Sequence, residues 1–195
     1  MRSCCPQFYQ RALQLEPQAT THAGLAAAYA KLGMRAEAVA SYVRAIGLDP
    51  ELHDAQFQLG ELLRASGDLE GAKHCYAQAL RLRPERAETW SCMGRLLRAS
   101  GDPGAVACFR ELVRLTPAEN KEKASEAHRT LGSALWEGGW HEPALDSYRL
   151  AVDQAPELAA RWLELAAKQL EARELAPAES TCRCPPLPLP CRSPG

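Results

Sequence analysis

The stretch at residues 59–84 reads LGELLRASGDLEGAKHCYAQALRLRP and contains two helical patterns separated by a turn sequence. Its apolar residues recur at helical spacing on both sides of Ser66-Gly67-Asp68, a sequence typical of a helix end followed by a helix start. After that break, Ala72, Tyr76 and Ala79 stand at i, i+4 and i+7 and therefore share one helical face. The pattern predicts two helices joined by a tight turn.

The same unit returns along the chain about every 34 residues. Its small–aromatic–small triplet recurs as Ala38/Tyr42/Ala45 and Ala144/Tyr148/Ala151, and Ala105/Phe109/Leu112 is the same triplet with its last alanine replaced by the larger leucine. The glycines between helices and the closing prolines keep the same step: Gly33, Gly67, Gly101 and Gly139, then Pro17, Pro50, Pro84, Pro117 and Pro156. A small residue on each first helix is expected to let the two helices approach closely, namely Ala26, Gly60, Gly94 and Gly132. Because one hairpin cannot bury its apolar face alone, the sequence predicts stacked hairpins.

One unit carries the fullest motif, Trp90-x-x-Met93-Gly94 followed by Ala105, Phe109 and Pro117. It resembles the tetratricopeptide repeat pattern of aromatic-x-x-Leu-Gly-x-x-Tyr, Ala-x-x-x-Phe and Pro. The resemblance covers about residues 5–176. It implies an all-α fold, a right-handed α-solenoid of helix-turn-helix repeats, in which the first helix of each repeat lines a concave groove.

The repeats divide the chain into predicted segments. These are a half repeat with a second helix only (1–17), three repeats (18–50, 51–84 and 85–117), a repeat with an inserted, extended first helix (118–156), a C-terminal capping helix (157–176) and a Pro/Cys-rich tail expected to be disordered (177–195). For the residues inserted after Pro117, a longer loop is the alternative to the extended helix. Because the first segment lacks its first helix, the sequence is consistent with a piece of a longer array.

Composition limits the function classes. The chain has 195 residues, with 23 Lys and Arg against 24 Asp and Glu. The resulting net charge of −1 excludes a uniformly basic nucleic-acid-binding protein. No apolar run approaches the ~20 residues that cross a bilayer, and the first residues lack the apolar core of a signal peptide. We therefore expect an intracellular, cytoplasmic protein, with the nucleus as the alternative compartment.

Residues that could carry chemistry are sparse. No phosphate-binding Gly loop, metalloprotease His pair or nucleophile elbow is present. The eight cysteines contain no C-x-x-C pair, so no metal site is predicted. His22 and His128 stand at the repeat position that Trp90 and Trp162 occupy in other units. This indicates that the histidine rings have a packing role and not a catalytic one. The sequence predicts a protein that is not an enzyme and has no cofactor, small-molecule substrate or nucleic-acid partner.

Projection of the first helices predicts a partner-binding groove. Its candidate residues are Phe57, Glu61, Arg64, Ser91, Arg95, Arg98, Arg129, Ser133 and Trp136. The arginines suit an acidic peptide because guanidinium pairs with carboxylate, and Phe57 and Trp136 are candidate apolar anchors. The alternative is a solvated face whose arginines pair with Glu61, Glu88 and Glu126. The first full repeat offers only a smooth wall of Thr20, Ala23, Ala27 and Ala30.

Three functions are compatible with these features. The first is an adaptor or scaffold that binds a peptide or helix of a partner protein in the groove of the solenoid. The second is a regulatory or substrate-docking segment of a larger protein-modifying enzyme, such as a glycosyltransferase. The third is self-association through the open N-terminal half repeat, whose exposed residues would be Phe8, Ala12 and Leu15.

Overall fold

The computed structural model describes residues 5–15, 18–117, 119–156 and 167. All regular structure in these ranges is helical: α1 Cys5–Leu15, α2 Ala19–Lys31, α3 Arg35–Leu48, α4 His53–Ser66, α5 Leu69–Leu82, α6 Ala87–Ala99, α7 Gly104–Leu115, α8 Lys121–Glu137 and α9 His141–Gln154. The chain divides into two compact units, Met1–Leu115 and Thr116–Gly195.

Consecutive helices pack as antiparallel hairpins. In the first unit these are hairpin 1 (α2–α3), hairpin 2 (α4–α5) and hairpin 3 (α6–α7), and in the second unit hairpin 4 (α8–α9). Within the first unit, the second helix of each hairpin also packs on the first helix of the next, and α1 packs on α2 in the same way. The predicted all-α solenoid of helical hairpins is confirmed for these residues.

The turn in hairpin 2 has the chemistry that its sequence predicts. Gly67 ends α4 with φ of 90°, a left-handed conformation that side-chain-bearing residues rarely adopt. Asp68 then caps α5, because its Oδ1 accepts a hydrogen bond of 2.9 Å from the backbone N–H of Gly71. One helix therefore stops and the next starts within two residues.

A buried aromatic ring lies between the helices of every hairpin. Tyr42, Tyr76, Phe109 and Tyr148 are at most 5% exposed, as the repeat pattern predicts. Each ring lies against the small residue of its first helix. A Cβ atom placed on Gly94 would lie 2.8 Å from Cε1 of Phe109, and one on Gly60 would lie 2.7 Å from Cε1 of Tyr76. The small residues are therefore required by the close approach of the rings.

Gly94→Leu is expected to lower the free energy of unfolding by about 1–3 kcal/mol, because its side chain overlaps the Phe109 ring. The matched control is Gly47→Leu, since a Cβ on Gly47 in α3 meets no atom within 4 Å. That control should be neutral or slightly stabilising because leucine favours the helix more than glycine. Urea unfolding measures the free energy of unfolding of both variants. An equal loss of stability in both would show that the assignment of Gly94 to the position facing the buried ring is wrong.

The residues inserted after Pro117 lengthen a helix. The first helix of hairpin 4, α8, has 17 residues, whereas α2, α4 and α6 have 13 or 14. Asn120 caps α8, since its Oδ1 accepts a hydrogen bond of 3.1 Å from the backbone N–H of Lys123. The predicted capping helix (157–176) and tail (177–195) lie outside the described residues, apart from Ala167.

Candidate functional site

The first unit presents an open cavity between the first helices of hairpins 1 and 2. Its volume is about 520 Å³, and its floor is formed mainly by alanine methyl groups and an aromatic ring. The lining residues are Ala23, Ala27, Ala30, Lys31, Tyr42, Asp54, Ala55 and Gln58. We name the exposed surface of α2, α4 and α6 in this unit the first-helix face, and the cavity lies on it.

The cavity forms because one side chain is short. In hairpins 2 and 4, the residue after the small residue accepts a hydrogen bond from the buried tyrosine. Tyr76 donates to the carboxylate of Glu61, and Tyr148 donates to Oγ of Ser133 at 3.2 Å. In hairpin 1 that position is Ala27, whose methyl group cannot reach the Tyr42 hydroxyl. The space above Tyr42 therefore stays open.

This cavity corrects the sequence-based expectation for hairpin 1. Ala23, Ala27 and Ala30 were expected to form a smooth wall, but together they line the cavity. Small side chains leave space between neighbouring helices, so a row of alanines opens a cavity where larger residues would close it. The sequence does contain a signal for this cavity, because Ala27 stands at the repeat position that Glu61 and Ser133 occupy in hairpins 2 and 4.

Two of the predicted groove residues are bound to each other. Arg64 Nη2 donates to Glu61 Oε2 at 2.9 Å, and Glu61 also accepts from Tyr76. Burial alone would raise the pKa of the Glu61 carboxyl, but hydrogen bonds from Arg64, Tyr76 and Cys92 outweigh burial and lower this pKa below its usual value. Glu61 therefore stays ionised and neutralises Arg64, as the alternative interpretation of the arginines predicts.

In hairpin 3, the residue that follows the small residue is a cation, Arg95. The buried ring of this hairpin is Phe109, which has no hydroxyl group to donate a hydrogen bond. Arg95 is exposed, and its Nη2 lies 3.2 Å from Sγ of Cys92. Within the described ranges Arg95 forms no ion pair. Ser91 and Arg98 lie on the same helix and are half-buried.

Phe57 is not an exposed anchor, contrary to the expectation. Its side chain is 8% exposed, because the ring stacks on His53 at a centroid distance of 6.5 Å and packs against Tyr76 at 6.0 Å. The helical projection placed it on the groove, but the neighbouring rings cover it. Phe57 belongs to the core of hairpin 2.

The remaining predicted site residues lie on α8, in the second unit. Arg129 Nε donates to Glu126 Oε2 at 2.7 Å, which is again the alternative pairing. Ser133 Oγ donates to the backbone carbonyl of Arg129 at 3.1 Å. Trp136 is half-buried and meets His141 edge to face, with ring centroids 4.6 Å apart. These side chains are therefore engaged within hairpin 4.

No cluster for metal binding occurs in the described part of the chain, where no three His, Cys, Asp or Glu residues converge. Cys75, Cys92 and Cys108 are buried free thiols. Burial raises the pKa of the Cys108 thiol to about 11, so it is a protonated, unreactive group at neutral pH.

Among the described helices, none combines the length and the apolarity needed to cross a bilayer.

The hairpins with their buried rings define a helical repeat protein. Sequence models of the tetratricopeptide repeat match residues 19–52 and 53–86, which correspond to hairpins 1 and 2. Residues 19–86 are therefore two tetratricopeptide repeats. No curated protein matches the sequence significantly.

Solved structures share the fold. The chain is similar to MamA, with a TM-score of 0.70 at 18% identity, covering 80% of this chain and 89% of that one. It is similar to MamA residues 41 to the end from Desulfovibrio magneticus RS-1, with a TM-score of 0.67, 16% identity and coverages of 78% and 84%. It is also similar to YrrB, described as a tetratricopeptide repeat protein with an unusual peptide-binding site, with a TM-score of 0.68, 24% identity and coverages of 84% and 81%.

Proposed function

We propose that the first-helix face binds a peptide segment of a partner protein and seats an apolar side chain in the cavity above Tyr42. The observation that carries this proposal is the cavity itself, which is open, alanine-floored and large enough for a side chain. The peptide-binding site described for YrrB supports the same use of a similar fold. Tetratricopeptide repeats are interaction modules, so the chain acts by binding rather than by catalysis.

The groups around the cavity favour an acidic peptide. Lys31 lines the cavity and is exposed, and Arg95 is exposed on α6 of the same unit. The carboxylate of Asp54 also lines the cavity, but Arg86 Nη2 pairs with it at 2.9 Å. Of the charged groups that line the cavity, only Lys31 has no ion pair within the described residues, so a peptide with carboxylates beside an apolar residue complements it.

Through this binding the chain acts as an adaptor protein. We place it inside the cell, because the free thiols of Cys75 and Cys92 stay reduced in that environment. The same face would serve a docking segment of a larger enzyme, because the peptide contacts are the same in both cases. Arg129, Ser133 and Trp136 are not part of this proposal because their side chains are engaged within hairpin 4.

Ala27→Gln is expected to weaken peptide binding at least ~10-fold, about 1.4 kcal/mol, because the longer side chain fills the cavity. Fluorescence anisotropy would measure the affinity of a short, end-blocked peptide with leucines at helical spacing and glutamates between them. The matched control is Ala40→Gln on the exposed surface of α3, which should bind as the unmodified chain does.

A second peptide, with lysine in place of every glutamate, tests the charge preference and should bind more weakly than the glutamate peptide. Equal binding by the Ala27→Gln and Ala40→Gln variants would remove the cavity from the proposal. Tighter binding of the lysine peptide would show that the partner is not acidic. Circular dichroism of both variants should match that of the unmodified chain, since Ala27 is half-buried and lies at the surface of the core.

A further inference from the structure

Tyr42 is a buried residue whose hydroxyl group forms no hydrogen bond within the described residues. Its side chain lines the cavity on the first-helix face and is only 4% exposed. Burial is the one cause that raises the pKa of this phenol, whereas at Tyr76 the hydrogen bond to Glu61 acts together with burial. Because buried hydroxyl groups are nearly always hydrogen-bonded, a partner for Tyr42 is expected to enter from the cavity.

Hairpin 2 shows which group is missing at this position. There Tyr76 donates to the carboxylate of Glu61, and Nη2 of Arg64 donates to the same carboxylate at 2.9 Å. The residues at the two corresponding positions of hairpin 1 are Ala27 and Ala30. The cavity therefore lies where hairpin 2 has a carboxylate and the cation that binds it.

The groups that surround the cavity suit a carboxylate supplied by a ligand. Gln58 lines the cavity at the repeat position of Cys92, which hydrogen-bonds to Glu61 in the next hairpin, and the Gln58 amide is a stronger donor than a thiol. Lys31 also lines the cavity and adds a positive charge. In hairpin 2 such bonds outweigh burial and hold the pKa of the Glu61 carboxyl below its usual value. An ionised carboxylate beside Tyr42 is therefore expected to be stable.

We propose that a glutamate side chain of the bound peptide takes the place in hairpin 1 that Glu61 has in hairpin 2. Its carboxylate accepts hydrogen bonds from the Tyr42 hydroxyl and the Gln58 amide and pairs with Lys31. This inference rests on the proposed binding of an acidic peptide at the cavity and identifies the side chain that determines its specificity. A cavity of about 520 Å³ is in the size range of small-molecule sites, so it holds this side chain beside an apolar one.

Tyr42→Phe tests the inference because it removes the hydroxyl group and keeps the ring. Phe109 is fully buried at the same repeat position of hairpin 3, so a phenylalanine fits there, and urea unfolding should show no loss of stability. Fluorescence anisotropy would compare the end-blocked glutamate peptide with peptides in which one glutamate at a time is replaced by methionine. One replacement is expected to weaken binding to the unmodified chain at least ~10-fold, and Tyr42→Phe should remove most of this difference.

Tyr148→Phe is the matched control, since it removes a tyrosine hydroxyl at the same repeat position in the second unit, where Ser133 accepts its hydrogen bond. This control should distinguish the two peptides as the unmodified chain does. Lys31→Met alters an exposed residue and gives a second test, because it should weaken binding of the glutamate peptide more than that of the methionine peptide.

Two outcomes separate this inference from the proposed function. If the peptides bind but Tyr42→Phe and Lys31→Met distinguish them as strongly as the unmodified chain does, the glutamate does not lie beside Tyr42 and the inference alone is overturned. If the unmodified chain binds none of the peptides, the proposed function is wrong and the inference fails with it.

Discussion

Phe109→Ala is expected to lower the free energy of unfolding by about 3–5 kcal/mol, the range measured when a fully buried aromatic side chain is truncated. Phe109 has no exposed surface, and its ring lies against Gly94 on α6. The truncation leaves a cavity between α6 and α7 that the backbone cannot close, because glycine has no side chain to move into the space.

Urea unfolding followed by circular dichroism measures this effect. The control is Val43→Ala, which truncates an apolar side chain that is 54% exposed on α3 and should change stability by less than about 0.5 kcal/mol. A loss below about 1 kcal/mol for Phe109→Ala would mean that the ring does not hold the hairpin together. The assignment of the repeated aromatic positions to the core would then be wrong.

Arg95→Glu combined with Arg98→Glu is expected to weaken binding of the glutamate peptide about 100-fold, or 2.7 kcal/mol. The variant replaces positive side chains of α6 with negative ones, so attraction to the peptide carboxylates becomes repulsion. The same variant should bind the lysine peptide more tightly than the unmodified chain does. Arg95→Glu alone should produce a substantial part of the loss, because Arg95 is exposed and forms no ion pair within the described residues.

A charge-matched control separates this local effect from net charge. Arg44→Glu combined with Arg81→Glu changes the total charge equally, but both residues are exposed on second helices, α3 and α5. Anisotropy titrations at two salt concentrations should show a strong loss for the α6 variant only. Equal losses in the two double variants would indicate general attraction between the peptide and the chain, and α6 would have no particular role.

The fold could be predicted from the sequence because its determinants are local and repeated. Each hairpin needs a small residue, an aromatic residue about fifteen positions later and a turn glycine between them. Gly60 with Tyr76 and Gly132 with Tyr148 meet as the pattern requires, and Gly67 has the left-handed conformation. Every period supplies the same information, so one irregular unit does not obscure the pattern.

The candidate site could be predicted only in part, because it depends on side chains that meet across helices. Projection onto one helix placed Phe57 on the groove, but His53 and Tyr76 cover its ring. The Glu61 network joins side chains from α4, α5 and α6, which no single helical projection contains. The cavity results from the absence of a side chain at Ala27, and an absence is visible only when the repeats are compared position by position.

The most direct test of peptide binding at the first-helix face is a backbone NMR titration of the full chain with the glutamate peptide. The largest, saturable amide shifts are expected at Ala23, Ala27 and Ala30 on α2 and at Arg95 on α6, with little change at Val43 on α3. Largest shifts on the second helices α3 and α5, or no saturable shift on α2 and α6, would contradict the account.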